Sequence, residues 1–143
     1  MRKYVALALG LASLSFVAPA AQTTIAIGDR STPLRPVTAG GNVGIRNAVL
    51  RDQPEVRALR VVVEPGGTRV MHSHDEVKFH LFVPITGAMT LNLEGAPSAV
   101  VPPWHPYYMK AGTRHGFQNS GSSPVEIMEI FVRELRDSVR RPR

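Results

Sequence analysis

The sequence predicts an all-β domain, a sandwich or closed barrel with an extended N-terminal arm. Three observations predict it. Short apolar runs recur at regular spacing, each ended by a Gly or Pro turn. One of them, Met89 to Leu93, alternates apolar and polar residues with the two-residue period of a half-buried strand. No segment after the first twenty residues carries a helical stripe, and there is no internal repeat or low-complexity region. At 143 residues the chain suggests one domain.

Residues 1–20 read as a targeting signal. Arg2 and Lys3 open it, Val5 to Val17 forms a mostly apolar core, and Ala18-Pro19-Ala20 offers a small-x-small cleavage site. That core is shorter than the roughly 20 apolar residues of a membrane-spanning helix. A periplasmic or secreted product, mature from about Ala21, is expected, and no later segment is apolar and long enough to span a bilayer. Residues 21–50 are assigned to the arm, the stretch to about residue 44 being rich in Gly, Thr and Pro with no apolar period.

The barrel is assigned to residues 51–135. A β-branched run closes with Val61-Val62-Val63 at Glu64-Pro65-Gly66-Gly67, a strong turn signal. Thr68 to Met71 is short and extended. Val77 to Val83 ends at Thr86-Gly87, and Met89 to Leu93 stops at Gly95. Ala99 to Val101 precedes Pro102-Pro103, and Tyr107 to Met109 leads into Ala111-Gly112. Val125 to Val132 carries Val125, Ile127 and Phe131 on one parity and Met128, Ile130 and Val132 on the other, so both faces can be covered. Residues 136–143 form a basic tail.

The formal net charge is +6, or +4 without Arg2 and Lys3. Much of the excess lies near the C-terminus, where Arg133, Arg136, Arg140, Arg141 and Arg143 face Glu134 and Asp137. The rest is close to neutral, so no nucleic-acid partner is expected. The chain has no cysteine, which excludes disulfides, thiolate zinc sites and thiol catalysis.

Four of the five histidines sit at informative positions. His72 and His74 are separated by one residue, which in a strand aims both imidazoles at one point. His80 follows in the next apolar run, and His115 stands just after Ala111-Gly112-Thr113-Arg114. If the sheet closes, these pieces converge inside it.

In these residues the chain resembles the cupin superfamily. The first motif reads Gly66, five residues, His72-Ser73-His74, five residues, His80, six residues, Gly87. The second reads Lys110-Ala111-Gly112, two residues, His115, three residues, Asn119. The resemblance covers about residues 56 to 132 and implies a double-stranded β-helix, a jelly-roll barrel. It departs from the family at three points. Lys78 and Phe79 stand where the metal-binding Glu is usual, which puts His80 in that role. Lys110 replaces the usual Pro, and Trp104 or His105 occupies the place of a Gly. Glu76 competes with His80 as fourth ligand. Small cupins commonly pair, so a homodimer is expected.

The resemblance and the spacing together imply one divalent transition metal held by His72, His74, His80 and His115. Imidazole suits zinc, copper, iron and nickel, and some cupin oxygenases use manganese. An all-histidine shell leaves the ion its full charge, a good Lewis acid that attracts an anionic ligand. Export as an unfolded chain favours copper or zinc by affinity, whereas cupin oxygenases commonly use iron, so the metal stays open. Phe82 and Lys78 share the strand parity of His80, and Phe117 that of His115, making these three the leading substrate contacts. Glu76 is the candidate proton acceptor. Asn119 is expected to hold a turn, and His105 to lie in a loop. Three functions fit a small-molecule partner: an oxygenase acting on a chelated, enolisable compound, a non-catalytic metal- or ligand-binding module, and, ranked last, a sugar isomerase.

Overall fold

The computed structural model describes residues 28–134. The expected signal segment, the first residues of the arm and the basic tail lie outside the described residues.

A two-residue strand β1 (Arg35–Pro36) and a short 3-10 turn (Ala39–Gly41) lead into β2 (Val43–Asp52). The long strand β3 (Val56–His72) follows, then β4 (Phe79–Pro84) and β5 (Met89–Leu93). Three short strands, β6 (Ala99–Val101), β7 (Tyr107–Lys110) and β8 (His115–Gln118), precede β9 (Val125–Val132). Their order is β6-β5-β8-β3-β9-β4-β7, with β2 added on β3 and β1 on β2. All pairings are antiparallel.

Two expectations are corrected. The segment 21–50 is not an arm throughout, because residues 43–50 belong to β2. There Ile45 pairs with Val63 and Asn47 with Val61. The β-branched run Val61-Val62-Val63 offers partners on both sides, so the preceding chain completes the sheet. The second correction concerns Glu64-Pro65-Gly66-Gly67, which does not end a strand. The strand runs through it and changes neighbours. Residues 56–63 pair with β9, and residues 68–72 pair with β8. Gly66 has a positive φ of 73°, a conformation that glycine adopts without penalty. Gly67 is packed so closely that a Cβ would stand 2.8 Å from the Glu64 carbonyl oxygen.

Asn119 pins this corner, as its place in the second motif suggests. Its backbone N–H donates to the Gly67 carbonyl at 3.0 Å, and its own carbonyl accepts from Gly66 N–H at 2.9 Å. The fully buried side-chain amide donates to the carbonyls of Val63 at 2.9 Å and Ser123 at 2.8 Å. Its oxygen accepts from Gly121 N–H at 3.0 Å.

The sheet curls on itself. In the strand order β8 and β4 are three places apart, which a flat sheet would spread over about 14 Å. Yet the Phe117 ring of β8 lies 5.2 Å from that of Phe82 on β4. Closure is therefore a consequence of the bent β3, and the interior fills with apolar side chains such as Val63, Phe82, Leu91 and Ile127, all fully buried. Burial alternates strictly along β9, with Val125, Ile127, Glu129 and Phe131 inward.

Candidate metal centre

Three strand ends bring the histidines together. His72 closes β3 and pairs directly with His115, the first residue of β8. His74 lies two residues beyond the strand and still presents its ring to the same place, 4.9 Å from His72. His80 comes from the opposite wall on β4, with its ring 5.2 Å from His115 and 5.3 Å from His74. His72 and His115 are 4.4 Å apart. The Phe131 ring stacks on His80 at 4.4 Å and closes the floor.

The free ring nitrogens form the core of the cluster. Nδ1 of His72 lies 2.9 Å from the Val70 carbonyl, and Nδ1 of His115 lies 2.8 Å from the Thr113 carbonyl. A carbonyl only accepts, so each Nδ1 donates a proton and each Nε2 keeps its lone pair. Nε2 of His74, Nε2 of His115 and both ring nitrogens of His80 are buried without a hydrogen-bond partner among the described residues. Burial lowers the pKa of His72, His74 and His115, bringing His115 to about 4. These rings are therefore neutral at pH 7, the state in which imidazole binds a metal.

Two groups of side chains could hold an ion. In each, the ligand atoms lie within 4.8 Å of one another: His72, His74 and His115 in one, and His80, His115 and Glu129 in the other. The orphaned buried nitrogens fit a metal, since buried polar atoms without partners are costly unless something supplies the contact.

Glu129 is the site residue that sequence reasoning missed. It is 7 % exposed, and its Oε1 lies 3.5 Å from His80 Nε2. Burial pushes its carboxyl up. The nearness of His80, and the charge that His80, His74 and His115 can carry, outweigh that and hold it below the usual carboxylate range. A signal was present, because Glu129 shares the inward parity of Val125, Ile127 and Phe131, and a lone carboxylate on an otherwise apolar strand face is a buried polar group to account for.

A cavity of about 170 Å³ opens beside the cluster. His72, His74 and Glu129 line it, with Phe117 and Phe131 as apolar walls and three arginines, Arg57, Arg69 and Arg133. Arg133 donates to Asp52 and to the Gln53 carbonyl, both at 2.9 Å. Arg57 Nε is buried without a hydrogen bond, 3.6 Å from Asp52. Arg69 is half-buried and has no ion-pair or side-chain hydrogen-bond partner among the described residues.

The remaining predicted residues fall in different places. Phe117 lines the cavity. Phe82 is fully buried in the core beside it and is not among the lining residues. Glu76 lines the cavity at its mouth, 67 % exposed, 3.6 Å from His74 Nδ1. It stands on the outer side of that ring and belongs to neither ligand group. Lys78 requires a correction. It is exposed and outside the cavity, beside Glu55, Val132 and Glu134. Strand β4 starts only at Phe79, so the alternation that links Lys78 to His80 does not extend back to it; residues 75–78 bend, and the Lys78 N–H is taken by the Val132 carbonyl at 2.7 Å. His105 is exposed in a loop.

No protein-family model matches the sequence, and no curated protein matches it. Solved structures do. A predicted oxalate decarboxylase from Thermotoga maritima aligns with a TM-score of 0.68 at 15 % identity, covering 77 % of this chain and 100 % of that one. The polyketide cyclase RemF from Streptomyces resistomycificus aligns at 0.64 and 20 % identity, covering 73 % and 75 %. An RmlC-like cupin from Shewanella frigidimarina aligns at 0.61 and 14 % identity, covering 80 % and 100 %. The chain has the cupin fold. Its interior carries a histidine cluster that could hold a metal ion.

Proposed function

We propose that this chain is a metal-dependent enzyme of the oxygenase type, acting on a small anionic organic molecule and holding one divalent transition metal through His72, His74, His80 and His115. One observation carries this reading: four imidazoles from three strand ends converge with nitrogens buried and unpartnered among the described residues, beside a cavity. A bound metal would supply a Lewis acid with coordination positions left over for a ligand.

The chain's own residues do the rest. Arg69, unpaired at the cavity wall, holds the anionic oxygens of the substrate, a task for which a guanidinium fork is suited. Phe117 and Phe131 present apolar faces that exclude water from the reacting end. Glu76, at the mouth beside His74, accepts a proton from an enolisable ligand. One structural neighbour is named for oxalate, a small dianion, and another is named a cyclase of polyketides. Because a fold hosts many reactions, those names suggest the size and charge of the ligand rather than the chemistry.

The test is to load metal-free protein in turn with iron, manganese, nickel, copper and zinc and to follow oxygen uptake with diketones, flavonols and catechols. Turnover with at least one metal is expected, and no turnover across the panel defeats the reading. A second reading is a binding module. Glu76 is two-thirds exposed, which leaves little acid–base equipment inside the cavity. Recovery of a stoichiometric ligand unchanged after incubation favours it.

We also propose export, supported by the sequence pattern of residues 1–20. Expression in a bacterial host should release to the periplasm a product whose mass begins at Ala21. Pairing of two copies is proposed as well. Met128, Ile130 and Val132 face outward on β9 and are half-exposed. Light scattering should give twice the chain mass.

A further inference from the structure

Among the described residues, Glu129 is the one carboxylate placed inside the barrel with the histidines. It stands on β9 between Leu59 of β3 and Phe82 of β4, in register with both. Those neighbours are buried and apolar. Among the described residues no Lys or Arg pairs with it, and its Oε1 has no hydrogen-bond partner. His80 Nε2 approaches it to 3.5 Å, too long for a full hydrogen bond. A carboxylate in such surroundings is costly unless positive charge reaches it.

The ligand groups indicate where that charge belongs. Glu129, His80 and His115 have ligand atoms within 4.8 Å of one another, and His115 is shared with the group of His72 and His74. His115 is thus the residue at which the two groups meet.

We infer that Glu129 is a metal ligand, supplying from the last strand the carboxylate that the first motif lacks. The inference rests on the metal-binding reading above and deepens it. His80 occupies the place of the usual Glu in the motif, and the carboxylate enters from a strand some fifty residues later. The occupied site then carries one net positive charge in place of two, which tempers its pull on anions. The donor set also changes character. A carboxylate among the donors favours iron or manganese more than an all-imidazole shell does. This weighs against the preference for copper or zinc that an all-histidine site implies.

Glu129 can instead be a positioning residue that accepts a proton from His80, as carboxylates often do behind metal-bound histidines. Glu129→Gln separates the roles, because the amide keeps an acceptor oxygen for His80 but is a poor metal ligand. Co(II) is titrated into the metal-free full chain by its visible absorption, and the Cu(II)-loaded protein is read by electron paramagnetic resonance. The parent is expected to bind one ion. Glu129→Gln should weaken Co(II) binding by about 100-fold and alter the Cu(II) spectrum. Without metal it should melt no lower than the parent, because it removes a buried charge. Co(II) binding within about threefold of the parent, with an unchanged Cu(II) spectrum, overturns the inference alone. A parent that binds neither ion overturns the metal-binding reading with it. Glu129→Asp carries the same test if the glutamine variant does not fold: a changed Cu(II) spectrum supports a ligand, and an unchanged one refutes it.

Discussion

At the scale of single residues, burial keeps His72, His74 and His115 neutral. His72 and His115 each place Nδ1–H on a backbone carbonyl, so orientation and tautomer follow from one contact. Their removal from water lowers their pKa, and the sign of the consequence follows. The unfolded chain takes up protons near the ordinary histidine value of 6.5, whereas folded His115 waits until about 4. Stability of the metal-free protein is therefore fully present above pH 6.5 and is lost as pH falls toward 4, by up to about 1.4 kcal/mol per pH unit for each such group. Urea midpoints compared at pH 7.5 and 4.5 should show the loss, and His115→Phe should reduce it. Metal affinity separates the competing ligands. His80→Ala should weaken Co(II) binding by more than about tenfold, whereas Glu76→Ala, which removes only an exposed contact 3.6 Å from His74, should change it by less than about threefold. Equal effects in a Co(II) titration would contradict the placement of Glu76.

Among the elements, β3 decides most. It borders β2 and β9 along its first half and β8 along its second, so its bend determines both closure and the meeting of His72 with His115. The contact at the metal end is close. A Cβ on Gly116 would stand 2.6 Å from the Arg69 carbonyl oxygen. Gly116→Ala must push β8 off β3 beside His115, with an expected cost of about 2 kcal/mol and a parallel fall in metal affinity. Chemical denaturation and the Co(II) titration check the two effects. Arg69 illustrates why periodicity misses a site residue. It stands three positions before His72, so plain alternation puts the two on opposite faces. A register shift between them returns both to the interior. Lys78 is the opposite case, excluded because its strand begins one residue later.

For the whole molecule, a metal held at this site would link binding to folding. An ion that binds the folded chain and not the unfolded one stabilises it, by about 2.7 kcal/mol at 100 times its dissociation constant. The thermal midpoint should rise by several degrees with added metal and return on chelation. A midpoint that ignores metal would refute the site. Much of this design is legible along the chain. The strands Met89–Leu93, Ala99–Val101 and Val125–Val132 match their apolar runs, and the spacing of the two motifs selects the four histidines that meet. Asn119 at the corner is legible too, since turn chemistry is local.

What the amino-acid order determined by itself is what depends on near neighbours: which stretches extend, which face of each is apolar, and which nitrogens are available as bases. Only the tertiary structure decided what depends on closure. It turned the Pro65-Gly66-Gly67 turn signal into a bend within one strand, brought Arg69 inward through a register shift, and set Glu129 against His80. Those outcomes rest on pairings between strands far apart in the chain, and no local period records the register in which distant strands meet.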